Sequence, residues 1–140
     1  MQIGKYIHAK LLAAAPVTAI IGTGSSARVY PVFLPMNTTG TSVVYMVENR
    51  PHGQSKQEAG THDAATVTLH LWADASQGQQ AYATLETLDD AIRDAIDYVE
   101  GTSGGVTVES CRYLGSLDGR DEQNLYFLKT VTYSIVHRRS

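Results

Sequence analysis

The chain has one cysteine, one tryptophan, two phenylalanines and four prolines in 140 residues, and each scarcity excludes something. With Cys111 alone, no intramolecular disulfide forms and no zinc site built on paired cysteines is possible. Long apolar runs are missing as well. The longest, LLAAAPVTAII, is broken by Pro16 and Thr18, far short of the roughly 20 residues that span a bilayer. The first residues, MQIGKYIHAK, put polar groups where a secretory signal needs an unbroken apolar core, so folding in the cytosol is expected. Basic excess is absent too: the net charge is -3, which leaves no general nucleic-acid footprint.

What is present argues for one folded domain over residues 1–140. The apolar fraction of 43% and charged fraction of 18% are those of a globular protein, and the length suffices for one core rather than two. The charges are unevenly placed. Residues 61–100 hold eight Asp/Glu and one Lys/Arg, whereas residues 1–60 hold two and five. An acidic segment and basic ends are therefore available to meet across subunits.

Ile3, Tyr6, Ile7, Leu11 and Leu12 have helical spacing and predict a helix over 2–15, stopped by Pro16. A short apolar segment and the loop GTGSSA follow; that loop lacks the lysine and spacing of a phosphate loop. RVYPVFLP reads as an edge or irregular strand, because Pro31 has no amide proton to donate. SVVYMVENR, β-branched and apolar on both faces, reads as an interior strand. The polar stretch PHGQSKQEAGTHD has almost nothing to bury, as in functional or disordered loops. From Ala64 to Asp74 the alternation is strict, with Val67, Leu69, Leu71 and Ala73 on one face and Thr66, Thr68, His70, Trp72 and Asp74 on the other.

Ser76 and Gln79 have capping-box spacing, so a helix is predicted from there to about Val99, ended by GTSGG. Its apolar stripe is Ala81, Leu85, Leu88, Ile92, Ile96 and Val99; its opposite side carries Glu86, Asp89, Asp90, Arg93, Asp94 and Asp97. Two extended segments, 106–114 and 125–137, flank the charged stretch GSLDGRDEQN and predict a long hairpin whose apolar face is interrupted only by Lys129. The expected fold class is α+β: a mostly antiparallel sheet of four to five strands, two main helices packed on it, and a long C-terminal β-hairpin.

Candidate chemistry is sparse. His62, Asp63, His70 and Asp74 are of metal-ligand type. His70 and Asp74, however, are four strand residues apart, about 13 Å at 3.3 Å per residue, which is too far to chelate one ion unaided. Asp90 with Asp94 imitates a carboxylate pair, but carboxylates on one turn of an exposed helix face are ordinarily solvation. No serine sits in a nucleophile motif and no H-E-x-x-H occurs. EQNLYFLK imitates a viral protease tag, but Leu128 stands where that recognition needs glutamine. Two rivals to a purely structural role stay open: a small metal-dependent hydrolase using His62, His70 and nearby carboxylates, and a ligand-binding α+β domain built around Tyr30, Tyr45 and Trp72.

The order of the pieces adds to this reading. Arg28-Val29-Tyr30-Pro31, the aromatic strand around Tyr45, and His70-Leu71-Trp72-Ala73 leading into the alanine-rich helix AYATLETLDDAIRDAI resemble the tail completion proteins of long-tailed bacteriophages, also described as tail terminators or head-tail joining proteins. The resemblance implies a virion structural protein, made in the host cytoplasm and sited in the tail. Such a subunit assembles with itself into a ring, often a hexamer, at the head-proximal end of the tail. It stops the tail tube and meets the tube protein on one side and the head connector or stopper on the other. No catalytic residue, metal or cofactor comes with it. Ring contacts are heterologous, so the expected interface groups are Asp90, Asp94 and Asp97 on the acidic helix, Arg50, Lys56, Arg138 and Arg139 as their complement, and His52, His70 and Trp72. If the 51–63 loop faces the channel, His52 and Lys56 lie near passing DNA; if it faces the next subunit, they are interface groups.

Overall fold

A computed structural model describes residues 3–32, 34–35, 40–51, 62–74, 78–120 and 126–138, with backbone alone at 49–51 and 62–63. The first helix, α1 (Ile3–Ala13), buries Ile3, Tyr6, Ile7 and Leu11, the stripe read from their spacing. Pro16 does more than stop it. Ala14 turns out of helical geometry (φ -92°, ψ 109°) and Pro16 sits in the first turn of a second helix, α2 (Ala15–Ile21), which buries Val17 and Ile21. A proline costs nothing there, because first-turn amides have no partner within the helix.

After a short 3₁₀ turn comes β1 (Val29–Pro31), an edge strand as Pro31 requires, paired in parallel with β2 (Ser42–Pro51). Arg28 ties this corner together. Its Nε donates to the Thr41 carbonyl and its Nη2 to the Ile20 carbonyl, each at 2.8 Å. β3 (His62–Asp74) keeps the expected alternation, with Val67, Leu69, Leu71 and Ala73 buried, and begins two residues earlier than Ala64. In β2, Val43 and Val44 point to opposite faces and both are buried, as an interior strand demands.

The long helix α3 (Gln79–Ile96) buries Ala81, Leu85, Leu88, Ile92 and Ile96. Its ends correct the sequence reading. The N-cap is Gly78 (φ 60°) with no side-chain cap, so Gln79 is the first helical residue and not the third that a capping box needs; Ser76 lies outside the described residues. At the other end Asp97 is the C-cap, and Val99 falls beyond the helix. The chain turns at Tyr98, whose φ is +60°; the Tyr98 amide donates to the Cys111 carbonyl at 2.8 Å, and the Asp97 carboxylate accepts the Tyr113 amide at 2.9 Å. GTSGG therefore does not end the helix. It forms β4 (Gly101–Ser103) and a two-residue turn in which Gly104 and Gly105 have φ of 60° and 80°, the type I′ geometry that only small or glycine residues accept readily.

β5 runs from Val106 to Arg120 and β6 from Tyr126 to Arg138. Most of the stretch read as a charged turn is thus strand, because β6 supplies partners as far as Arg120↔Phe127. Register shifts at Val108/Ser110 and Tyr113/Gly115 kink β5 along the way. The sheet has six strands in the order β1-β2-β3-β6-β5-β4 and is mixed, with three α-helices. The expected mostly antiparallel sheet of four to five strands with two main helices lacks β4 and the second helix; the edge strand expected around Pro31 is there as β1, in parallel pairing. The helices and the inward residues of β2, β3, β5 and β6 share one core, so the helices occupy one face of the sheet.

Candidate functional site

The face of the sheet opposite the core carries a polar lane. Thr66, Thr68 and His70 of β3 lie beside Ser134, Thr132 and Thr130 of β6, and none of these is buried. His70 Nδ1 lies 3.3 Å from Thr130 Oγ1, and partial burial pushes the His70 imidazole below its ordinary pKa. Trp72 sits at the end of this lane with its ring edge-on to Tyr126 at 5.9 Å. At the β2 side the same face is shielded, since Ser42 and Val44 are buried. This is a surface of hydroxyls with an aromatic end, suited to contact, and none of its described residues is an activated nucleophile.

A second cluster lies on the core face, where α3 meets the outer half of the β5–β6 hairpin. Lys129 takes a core position in β6, where only 7% of it is exposed, and its Nζ donates to Asp118 Oδ1 at 2.7 Å. Tyr82 of α3 donates to the other oxygen of the same carboxylate at 2.5 Å, and the Lys129 ammonium stands 5.7 Å from the Tyr82 ring centre. The Lys129 and Tyr82 hydrogen bonds hold Asp118 below the usual carboxylate range. Burial pulls the Lys129 pKa down, but the bond to Asp118 and the surrounding negative charge outweigh it and leave Lys129 above its ordinary value. Asp89, two turns along α3 from Tyr82, is pushed up by burial against the opposing pull of Lys129, and its Oδ1 has no hydrogen-bond partner among the described residues. This network fastens the hairpin to the helix.

The sequence-expected site residues do not converge. His70 and Trp72 lie on the outer sheet face, whereas Asp90 and Asp94 are exposed on α3, on the far side of the core. Asp97 is engaged within the chain, by the Tyr113 amide and by Arg93 Nε at 3.2 Å, while the Arg93 guanidinium lies 4.0 Å above the Tyr113 ring. Arg138 binds Glu109 through Nε at 2.7 Å. Arg50 is placed by its backbone opposite Ala64; His52, Lys56 and Arg139 lie outside the described residues. His62 and His70 stand eight residues apart on one strand, about 26 Å at 3.3 Å per residue, so they cannot share an ion. Tyr30 and Trp72 lie on separate strands with β2 between them, and Tyr45 projects to the other face, edge-on to His8 of α1 at 6.1 Å, so the three do not line one pocket. Sequence reasoning missed Asp118 and Tyr82; Lys129, a charge on an otherwise apolar face, was their one signal.

The model of the family described as tail completion protein gp17 matches residues 5–138, from the first turn of α1 to the last residue of β6. The chain belongs to the tail completion protein gp17 family. It is a bacteriophage tail structural protein of the virion, in keeping with a surface built for contact. The fold of this tail completion protein recurs in a chain from a solved structure titled "Virion of native gene transfer agent (GTA) particle", with a TM-score of 0.67 at 17% identity, covering 94% of this chain and 91% of that one. No curated protein shows significant similarity to it.

Proposed function

We propose that this tail completion protein forms a closed ring, a hexamer, at the head-proximal end of the tail, ends the growth of the tail tube there and joins it to the head connector or stopper. The observation that carries the reading is the family match over the whole domain, both layers of the fold included. The surfaces agree with it. The hydroxyl lane around His70 and Trp72 and the exposed Asp90 and Asp94 face opposite sides of the subunit, so each copy has separate surfaces for separate neighbours.

The protein works by shape and charge rather than by catalysis. In the ring, the acidic surface of α3 meets basic groups of a neighbour, for which Arg50, Lys56, Arg138 and Arg139 are the candidates, and His52 and Lys56 lie against either the next subunit or DNA in the channel. The test is electron microscopy of tail tubes assembled with and without the protein. Tubes of uniform length bearing a six-fold cap are expected with it. Uncapped tubes of unchanged length distribution overturn the reading.

A further inference from the structure

All five exposed large apolar side chains among the described residues sit at the two edges of the sheet. Val32 and Met46 mark the β1–β2 edge; Tyr98, Leu114 and Leu117 mark the β5 edge, with Val32, Tyr98 and Leu117 exposed by 64%, 75% and 74%. The two non-glycine residues with positive φ among the described residues, Val32 (69°) and Tyr98 (60°), are both in this set, one at each edge. A β-branched or aromatic residue held in that region is strained, and although the backbone amides of Val32 and Tyr98 are bonded, side chains left in water add little burial to offset the strain.

The β5 edge is also open along its main chain. β4 covers Val106–Val108, while Tyr98 and Asp97 take the Cys111 carbonyl and the Tyr113 amide. From Leu114 to Arg120 no described residue pairs with the side of β5 turned away from β6, and all but Gly115 are exposed. A shallow groove between Leu114, Leu117, Thr130 and Thr132 lies along it. Monomeric proteins normally blunt such an edge.

We infer that this open run of β5 receives the β1–β2 edge of a second copy of the chain, continuing the sheet from one subunit into the next. The inference rests on the ring reading and names its joint. Three features of the sheet point to a second copy as the occupant. First, the edges match in level: register carries Val29 through Val43, Leu71 and Lys129 to Asp118, and Pro31 through Tyr45, Leu69 and Val131 to Ser116. β1 of a neighbour therefore reaches the open run without sliding along the strand axis. Second, β1 and β2 run opposite to β5, since three antiparallel pairings separate β2 from β5. Copies repeated head to tail then meet in antiparallel pairing at every joint. Third, each edge carries apolar groups for the other to cover. Pro31 leaves this ladder one donor short, so Val32, Leu114, Leu117 and Tyr98 carry most of the contact.

The test uses the full chain. Leu117→Lys and Val32→Glu each alter an exposed side chain, and circular dichroism checks that each variant folds. Each alone is expected to weaken self-association at least about tenfold, as loss of an interface anchor does, and mixing the two is expected to restore it. In a Cys111→Ser background, Tyr30→Cys and Leu117→Cys chains, whose positions face each other in this register, are expected to cross-link with each other on oxidation, and neither with itself. A ring that forms normally with Leu117→Lys and yields no Tyr30–Leu117 cross-link overturns the edge joint and leaves the ring intact. Self-cross-linking of Leu117→Cys overturns the joint in favour of paired β5 edges. A wild-type chain that stays monomeric both alone and on tail tubes overturns the ring reading and this joint together.

Discussion

Replacing Asp118 by alanine is predicted to cost more stability than replacing Lys129 by methionine, although the two are partners in one ion pair. The reason is an asymmetry of burial: the Lys129 side chain is 9% exposed and that of Asp118 48%. Asp118→Ala leaves an ammonium at a core position without the carboxylate that accepts its bond, whereas Lys129→Met removes the charge, keeps most of the volume and leaves Asp118 free to turn to water. A hydrogen bond to a charged group is worth about 1.5–3 kcal/mol, and half-exposure of the acceptor discounts that. Asp118→Ala should therefore cost about 1–2 kcal/mol, tempered by the nearby Asp89 charge, and Lys129→Met less than 1 kcal/mol. The double variant should resemble Lys129→Met. Urea unfolding at pH 7 measures all three. The pH dependence is signed as well: Asp118 has a depressed folded pKa, so its contribution is present above the unfolded carboxylate pKa and is lost as pH falls through the folded value. The gap between wild type and Asp118→Ala should close in acid. If Lys129→Met proves as costly as Asp118→Ala, or if the double variant costs the sum of the singles, the asymmetry argument is wrong.

Leu88, fully buried in the α3 stripe, should lose about 2–5 kcal/mol on change to alanine, measured by denaturant unfolding. Gly104→Ala should destabilise by about 1–2 kcal/mol from its φ of 60° alone, and by more because a Cβ there stands 2.7 Å from the Lys5 carbonyl oxygen; a thermal melt reads both. Asp89→Asn should stabilise the chain at neutral pH. Burial raises the folded pKa of Asp89, so its ionised form is a liability above that pKa that disappears as pH falls through it, and the benefit should vanish in acid in paired pH titrations of stability.

The legible parts of this fold were those where periodicity reports burial directly. β3 shows it best: Val67, Leu69, Leu71 and Ala73 alternate with polar residues because one face is core and the other a hydroxyl lane. α3 was readable for the same reason, apart from its ends. What escaped was set by partners distant in sequence. β4 is three residues long, too short for a pattern, and exists because β5 offers a ladder to join; Pro31 makes β1 legible as an edge strand, but not its parallel pairing with β2. The outer half of β5 looks like a turn in composition, yet Lys129 and Asp118 pair across the hairpin and β6 supplies the ladder. Pro16 was read as a stop when it also marks a start, an ambiguity inherent in a residue suited to first turns.

The same division applies to the site. The resemblance to tail completion proteins rested on the order of elements, which local patterning preserves, and it agrees with the family match over residues 5–138. The interface residues rest on charge, and sequence counts charges without showing which are engaged within the chain. Asp97 is bound by Tyr113 and Arg93, while Leu114 and Leu117, unremarkable in sequence, are exposed at an open edge.

The measurement that bears most directly on the central claim is the mass and symmetry of the protein at the end of the tail tube, by native mass spectrometry and electron microscopy of capped tubes. Six copies in a closed ring at the head-proximal end is the predicted result. A single copy, or no copy at that end, contradicts the account.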